Sequence, residues 1–240
     1  MNIAIIPARG GSTRIPRKNI KLFNGKPIIA WSIETAIASK CFDRIIVSTD
    51  DDEIASVAES YGAEAPFKRP TELSDSLTGT MPVIRHAVKW LIDCGELPEN
   101  VCCIYATAPY IQIGDLRDCL QLLLQTKSDF AFPVTSFPFP IQRALRVDPN
   151  NSVSMFQPQH FHTRSQDLEQ AFHDAAQFWW GSSAAWLSER PVYSSLATGL
   201  QIPRYRVQDI DTLEDWECAE AIFQTLHQSQ KLKRKEVGSI

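Results

Sequence analysis

Residues Ile3 to Lys21 read IAIIPARGGSTRIPRKNIK. The opening Ile3-Ala4-Ile5-Ile6 is a short apolar run of the kind that forms a strand buried on both faces. It leads directly into Arg9-Gly10-Gly11-Ser12, where paired glycines let backbone N–H groups approach an anion without an intervening Cβ. From Arg9 to Lys21 there are five cations, Arg9, Arg14, Arg17, Lys18 and Lys21, and no Asp or Glu. Such a loop repels itself unless something negative occupies it, and a nucleoside triphosphate has the charge and length to do so. The plain alternative is a solvated basic turn after a first strand. The stretch contains neither G-x-x-x-x-G-K-[ST] nor G-x-G-x-x-G, so the Walker and dinucleotide readings lose their main support.

Beyond this loop the chain predicts alternating strands and helices. Pro27 to Lys40 has helical periodicity and Arg44 to Ser48 is a buried strand. Asp51 to Tyr61 is a helix opened by acids, with Gly62 at the position of a C-terminal cap. Met81 to Cys94 is a helix, Val101 to Tyr105 a strand, Asp115 to Gln125 a helix and Asp129 to Thr135 a strand. This order predicts an α/β fold with a mainly parallel sheet and right-handed crossovers.

The alternation breaks at Phe137-Pro138-Phe139-Pro140. Residues 141–160 read as a hairpin about Asp148-Pro149-Asn150-Asn151. The aromatics of 156–187 (Phe156, Phe161, Phe172, Phe178, Trp179, Trp180, Trp186) read as exposed interface residues of an insertion. Residues 1–226 therefore form a single domain with an inserted arm or lid at about 137–187. Arg204 to Val207 is expected to be a strand and Thr212 to His227 a closing helix. Residues 227–240, with Lys231, Lys233, Arg234 and Lys235, form a basic, solvated tail.

The 240 residues are 44% hydrophobic and 22% charged, enough for one sizeable core, and the net charge of −4 argues against a general nucleic-acid binder. No apolar run has membrane-span length, and the start shows no signal-peptide pattern, so a cytoplasmic protein without membrane partners is expected. The six cysteines contain no C-x-x-C pair. They read as reduced and mostly buried, with adjacent Cys102 and Cys103 pointing to opposite faces of a strand.

A second constellation is Asp209-Ile210-Asp211. In an extended segment both carboxylates project to one side, and hard oxygen ligands there suit Mg²⁺ shared with substrate phosphates. Helix capping by Asp211 with Glu214 explains the second aspartate equally well. Asp50 to Glu53 reads as a complement to a helix dipole.

These motifs together resemble the CMP-nonulosonic acid synthetase family, the CMP-sialic acid synthetase group, over roughly residues 3–226. The broad resemblance rests on Pro7-Ala8-Arg9-Gly10-Gly11-Ser12, Ile15-Pro16-Arg17-Lys18-Asn19, Ser48-Thr49-Asp50, Arg69-Pro70 and Asp209-Ile210-Asp211. Cys103 to Pro109, Phe137 to Arg143, Thr163 to Leu168 and His173-Asp174-Ala175 point within the family to the branch acting on pseudaminic acid. The resemblance implies a Rossmann-like nucleotidyltransferase fold and a cytidylyltransferase reaction, CTP plus a nine-carbon acidic sugar giving the CMP-sugar and pyrophosphate. It further implies a place in surface glycan or flagellin glycosylation, Mg²⁺, and a homodimer whose arm reaches the partner.

By the family pattern Ala8, Arg9, Gly10, Gly11, Ser12, Lys18, Asn19 and Arg69 hold the nucleotide. Arg9, Lys18, Asp209 and Asp211 are catalytic, and the two aspartates hold the metal. Arg143, Arg164 and Gln166 are candidates for the sugar acid. Thr13 stands where a Lys is frequent and Ala176 where a Gly is usual. Sialic or legionaminic acid is the alternative sugar, and a non-catalytic nucleotide-binding regulator the alternative of another class. Arg69 could instead brace its loop, and Trp179 and Trp180 read as packing residues.

Overall fold

A computed structural model describes residues 1–188 and 190–237, with 227–237 described as backbone only. In chain order the strands and helices are β1 (Asn2–Pro7), the short pair β2 (Leu22–Phe23) and β3 (Lys26–Pro27), α1 (Ile28–Ser39), β4 (Arg44–Ser48), α2 (Asp52–Ser60), α3 (Thr80–Asp93), β5 (Asn100–Ile104), α4 (Ile113–Thr126) and β6 (Phe130–Ser136). Then come β7 (Leu145–Val147), β8 (Val153–Met155), β9 (Phe172–Asp174), β10 (Phe178–Ser182), α5 (Ser183–Leu187), β11 (Ala197–Gln201) and α6 (Leu213–Val237).

The main sheet runs β11-β6-β10-β5-β1-β4, with β9 paired to β6. β1 is parallel to both β4 and β5, and β11 is parallel to β6. β10 is antiparallel to β5 and β6, and β9 is antiparallel to β6. The expected mainly parallel α/β sheet is present, with β10 as an antiparallel member between β5 and β6.

Alternation along the buried strands fills two cores. Ala4, Ile6, Cys102 and Ile104 pack with Ile29 and Ile33 of α1, Ile54 of α2 and Leu116 of α4. Ile3, Ile5, Val101 and Cys103 pack with Ile84 and Leu91 of α3 and Trp186 of α5. Cys102 and Cys103 thus face opposite layers, as expected from the strand period. A third core places Ile210, Trp216 and Phe223 against Ile15, Phe23, Ile28 and Tyr110, which fixes α6 beside the basic loop.

Several expectations are corrected. Phe178 and Trp186 are buried core residues rather than exposed aromatics, and Trp179 and Trp180 are buried as their packing reading expects. The sheet therefore reclaims the chain at β9, and of the expected arm it is residues 137–171 that lie outside it. The hairpin about Asp148 is present as β7 and β8. Arg204–Arg206 is a 3₁₀ turn and no strand. The last strand is β11, half-exposed at the sheet edge. Cys102, Cys103 and Cys119 are buried, but Cys94 and Cys218 are exposed. The helix α6 continues past His227 to Val237, so the basic tail starts helical by its backbone. Its expected solvation, like residues 238–240, lies outside the described residues.

Candidate active site

The Arg9–Lys21 loop leaves the C-terminal end of β1 and returns through a 3₁₀ turn at Lys18–Ile20. The crevice outside the carboxyl ends of β1 and β5 is the usual ligand position in open α/β sheets. A cleft of about 240 Å³ opens there, lined by Arg9, Ser12, Thr13, Arg14, Lys18 and Asn19 on one side and by Arg69, Thr78 to Thr80 and Tyr105 to Thr107 on the other.

The loop is held mainly by acids of its own chain. Gly10 N–H donates to Asp50 Oδ1 at 3.0 Å. A Cβ at Gly10 would stand 2.7 Å from Asp51 Oδ2. That glycine permits close packing on the β4–α2 turn, while Gly11 stays exposed and open. Arg17 turns away from the cleft with φ +56° and binds Asp51 and Glu53. Its hydrogen bond holds the Asp51 carboxyl down at about 2, and Asp51 also caps α2 by accepting from Glu53 N and Ile54 N. Asp50, Asp51 and Glu53 therefore anchor the loop besides complementing the helix.

Of the remaining loop cations, Arg9 meets the cleft wall, Arg14 and Lys18 meet the aspartates, and Lys21 lies over the Trp216 ring. Arg9 donates to the Asp75 carbonyl, and Asn19 Nδ2 donates to the Arg9 carbonyl at 2.9 Å. Arg14 and Lys18 contact the Asp211 carboxylate at 2.8 and 3.4 Å. Lys18 Nζ also donates to the Ile210 carbonyl at 2.6 Å. The loop and the Asp209-Ile210-Asp211 stretch are thus in direct contact beside the cleft.

Capping does not account for the couplet. Thr212 caps α6: its Oγ1 accepts from Asp215 N at 3.1 Å, and Asp215 Oδ2 accepts from Thr212 N at 2.8 Å. The capping box therefore falls one residue later than Asp211 with Glu214, leaving both aspartate side chains free of that duty. Partial burial, then the neighbouring Asp211, raise the Asp209 carboxyl above its ordinary range. A carboxylate with a second carboxylate two residues on supplies the hard oxygen donors that a divalent cation takes. They fit Mg²⁺ bound partly by substrate phosphates, and no group of three or more such ligands occurs among the described residues.

Arg69 is 5% exposed, and its guanidinium donates to Ser48 Oγ and the Ser48 carbonyl. Burial lowers it to about 10. It is a buried brace that also reaches the cleft. Ala8 is fully buried behind the loop and does not line the cleft.

The sugar candidates lie elsewhere in this chain. Arg143 donates to Ser165 Oγ at 3.4 Å, which brings Arg143 and the Arg164–Gln166 segment together on the arm. All three candidates are exposed and none lines the cleft. Ala176 takes φ +52°, the conformation a glycine adopts freely, and its N–H donates to Asp174 Oδ1 at 2.7 Å. Trp179 and Trp180 pack in the core, with indole N–H bonds to Asp174 and the Leu116 carbonyl. Thr78, Gly79 and Thr80 were missed as cleft residues, because only the tertiary fold brings them opposite the loop.

Fold and cleft define a nucleotidyltransferase. The sequence profile of the cytidylyltransferase family matches residues 3–237, and the chain belongs to that family. It is 45% identical to the pseudaminic acid cytidylyltransferase of Campylobacter jejuni, over 95% of this chain and 98% of that one. It is 31% identical to a Helicobacter pylori protein described as a pseudaminic acid cytidylyltransferase and UDP-2,4-diacetamido-2,4,6-trideoxy-beta-L-altropyranose hydrolase, over 96% of this chain and 44% of that one. Among solved structures, CMP:2-keto-3-deoxy-manno-octonic acid synthetase complexed with CTP has the same fold, with a TM-score of 0.69, 15% identity and coverage of 93% of this chain and 98% of that one.

Proposed function

We propose that the chain transfers CMP from CTP to pseudaminic acid and releases pyrophosphate. The observation that carries the reading is the 45% identity to the Campylobacter enzyme along nearly the whole of both chains. The cleft supplies a chemistry to match. The sugar's anomeric hydroxyl attacks the α-phosphorus, the α–β bridging bond breaks, and the electrons leave on pyrophosphate. Charge grows on phosphate oxygens, so the task is positioning and neutralisation. Arg9 and Lys18 neutralise the α-phosphate and the departing pyrophosphate, Ser12, Asn19 and Arg69 orient the nucleotide, and Gly11 leaves its backbone N–H open to a phosphate. Asp209 and Asp211 would hold Mg²⁺, which when bound supplies Lewis-acid neutralisation at the phosphates. Either aspartate would serve as the base that takes the hydroxyl proton.

Arg143, Arg164 and Gln166 serve the sugar acid across a homodimer. The arm supports this with exposed Phe139, Val147, Val153, Phe156 and Phe161, a surface suited to a second copy. The product would feed surface glycan or flagellin glycosylation from the cytoplasm; among the described residues no helix is long and apolar enough to cross a membrane. A pyrophosphate-release assay with CTP, Mg²⁺ and a panel of pseudaminic, legionaminic and N-acetylneuraminic acids tests the reading. Pseudaminic acid is expected to give the highest kcat/KM; a preference for either other sugar overturns the assignment.

A further inference from the structure

Arg206 is held at both its side chain and its carbonyl. Its guanidinium donates twice to Asp115 in the first turn of α4, at 2.5 and 3.2 Å. Both side chains are nearly out of water, at 13% and 12% exposure. Its carbonyl accepts from Gln177 Nε2 at 2.6 Å. Gln177 is itself buried just before β10, and its Oε1 has no partner among the described residues.

Neither arrangement is one that stability alone rewards. A buried ion pair is often no better than an apolar pair of the same volume. A buried acceptor without a donor is a net cost. Both are spent on one residue, which stands three positions before Asp209. At most about 11 Å of extended backbone separates the two Cα atoms. Between the two aspartates Ile210 is buried and its carbonyl accepts from Lys18 Nζ, and beyond them the Thr212–Asp215 box fixes the start of α6. Asp211 is thus held from its own side, through Arg14, Lys18 and Asp215, while upstream of Asp209 the residue held at both side chain and carbonyl is Arg206.

We propose that Arg206, clamped by Asp115 and Gln177, is a positioning residue that sets the separation and aim of the Asp209 and Asp211 carboxylates. This inference rests on the reading of the couplet as a metal site. Loosening the clamp is expected to weaken divalent-cation binding while leaving the nucleotide side of the cleft intact.

The test uses the whole enzyme and two variants, Gln177→Met and the double change Arg206→Met with Asp115→Leu. The first carries the experiment alone if the second does not fold. Mn²⁺ binding is read by electron paramagnetic resonance without sugar present, beside amide hydrogen exchange over residues 207–212 and the KM for CTP at saturating Mg²⁺. The expected result is Mn²⁺ affinity weakened about tenfold, faster exchange over 207–212, and a CTP KM within about twofold of the parent. Unchanged Mn²⁺ affinity and unchanged exchange in a folded variant overturn the proposal. Parent Mn²⁺ binding that survives Asp211→Asn defeats the metal reading instead, and the exchange rates alone then decide the positioning role.

Discussion

The cleft and the arm solve opposite problems. In the cleft the charged loop is tied down by its own chain, through Asp50, Asp51, Glu53, Asp75 and Asp211. In the arm, Phe139 is 80% exposed and Phe161 61% exposed, and an apolar groove of about 560 Å³ runs between Phe137, Phe139, Ile141 and Leu145. A site for a polyanion must be organised before the ligand arrives, since reorganising charged side chains costs binding and rate. An interface for a second copy can leave its apolar surface open until the copies meet. Under the proposed function, the nucleotide chemistry would belong to one chain and the sugar contacts to the pair.

The sharpest way to break this comparison is on the cleft side. Asp211→Ala removes one of the two carboxylates and the partner of Arg14 and Lys18, and pyrophosphate release at ordinary Mg²⁺ should fall by roughly a thousandfold or more. Full turnover would remove the couplet from the chemistry. Lys18→Met leaves the fold's cores untouched and should lower kcat by about a hundredfold or more, with a smaller change in the KM for CTP.

On the arm side, Phe139→Asp places a charge in the apolar groove. Sedimentation should show a shift from dimer to monomer, accompanied by about a tenfold rise in the sugar KM and little change in that for CTP. A monomer with unaltered sugar kinetics would place the sugar site within one chain.

The smallest expected effect concerns the loop's anchor. Arg17→Gln should cost about 1–2 kcal/mol of stability at neutral pH by denaturant unfolding. Asp51 is held at about 2, below its ordinary value of 3.8. A depressed carboxyl adds stability that is complete above the ordinary value and lost as pH falls through the folded one. The gap between parent and variant should therefore close as pH falls from about 4 to 2. A gap independent of pH over that window would show that Arg17 acts by packing alone.

Much of the sheet was legible because β1, β4, β5 and β6 are short apolar runs between helical patterns. β10 was hidden because Phe178-Trp179-Trp180 continues a stretch already dense in aromatics, and an antiparallel strand leaves no mark on βαβ alternation. β11 reads Ala-Thr-Gly-Leu-Gln, too mixed to announce a strand, since a half-exposed edge needs no continuous apolar run. Arg204 to Val207 looked extended, but Arg206 points to Asp115 from a tight turn. In the site, charge and paired glycines marked the loop, while spacing marked the couplet and left metal binding and helix capping level. That Gly10 packs on Asp51 and that Arg69 is buried depend on contacts between distant segments.

The central claim is that the basic loop and the aspartate couplet act as one unit on one triphosphate. A double-mutant cycle of Lys18→Met and Asp211→Asn on kcat/KM for pyrophosphate release measures this directly. The account predicts strong coupling, with the double variant at least about tenfold more active than the product of the single losses. Losses that multiply independently would contradict it.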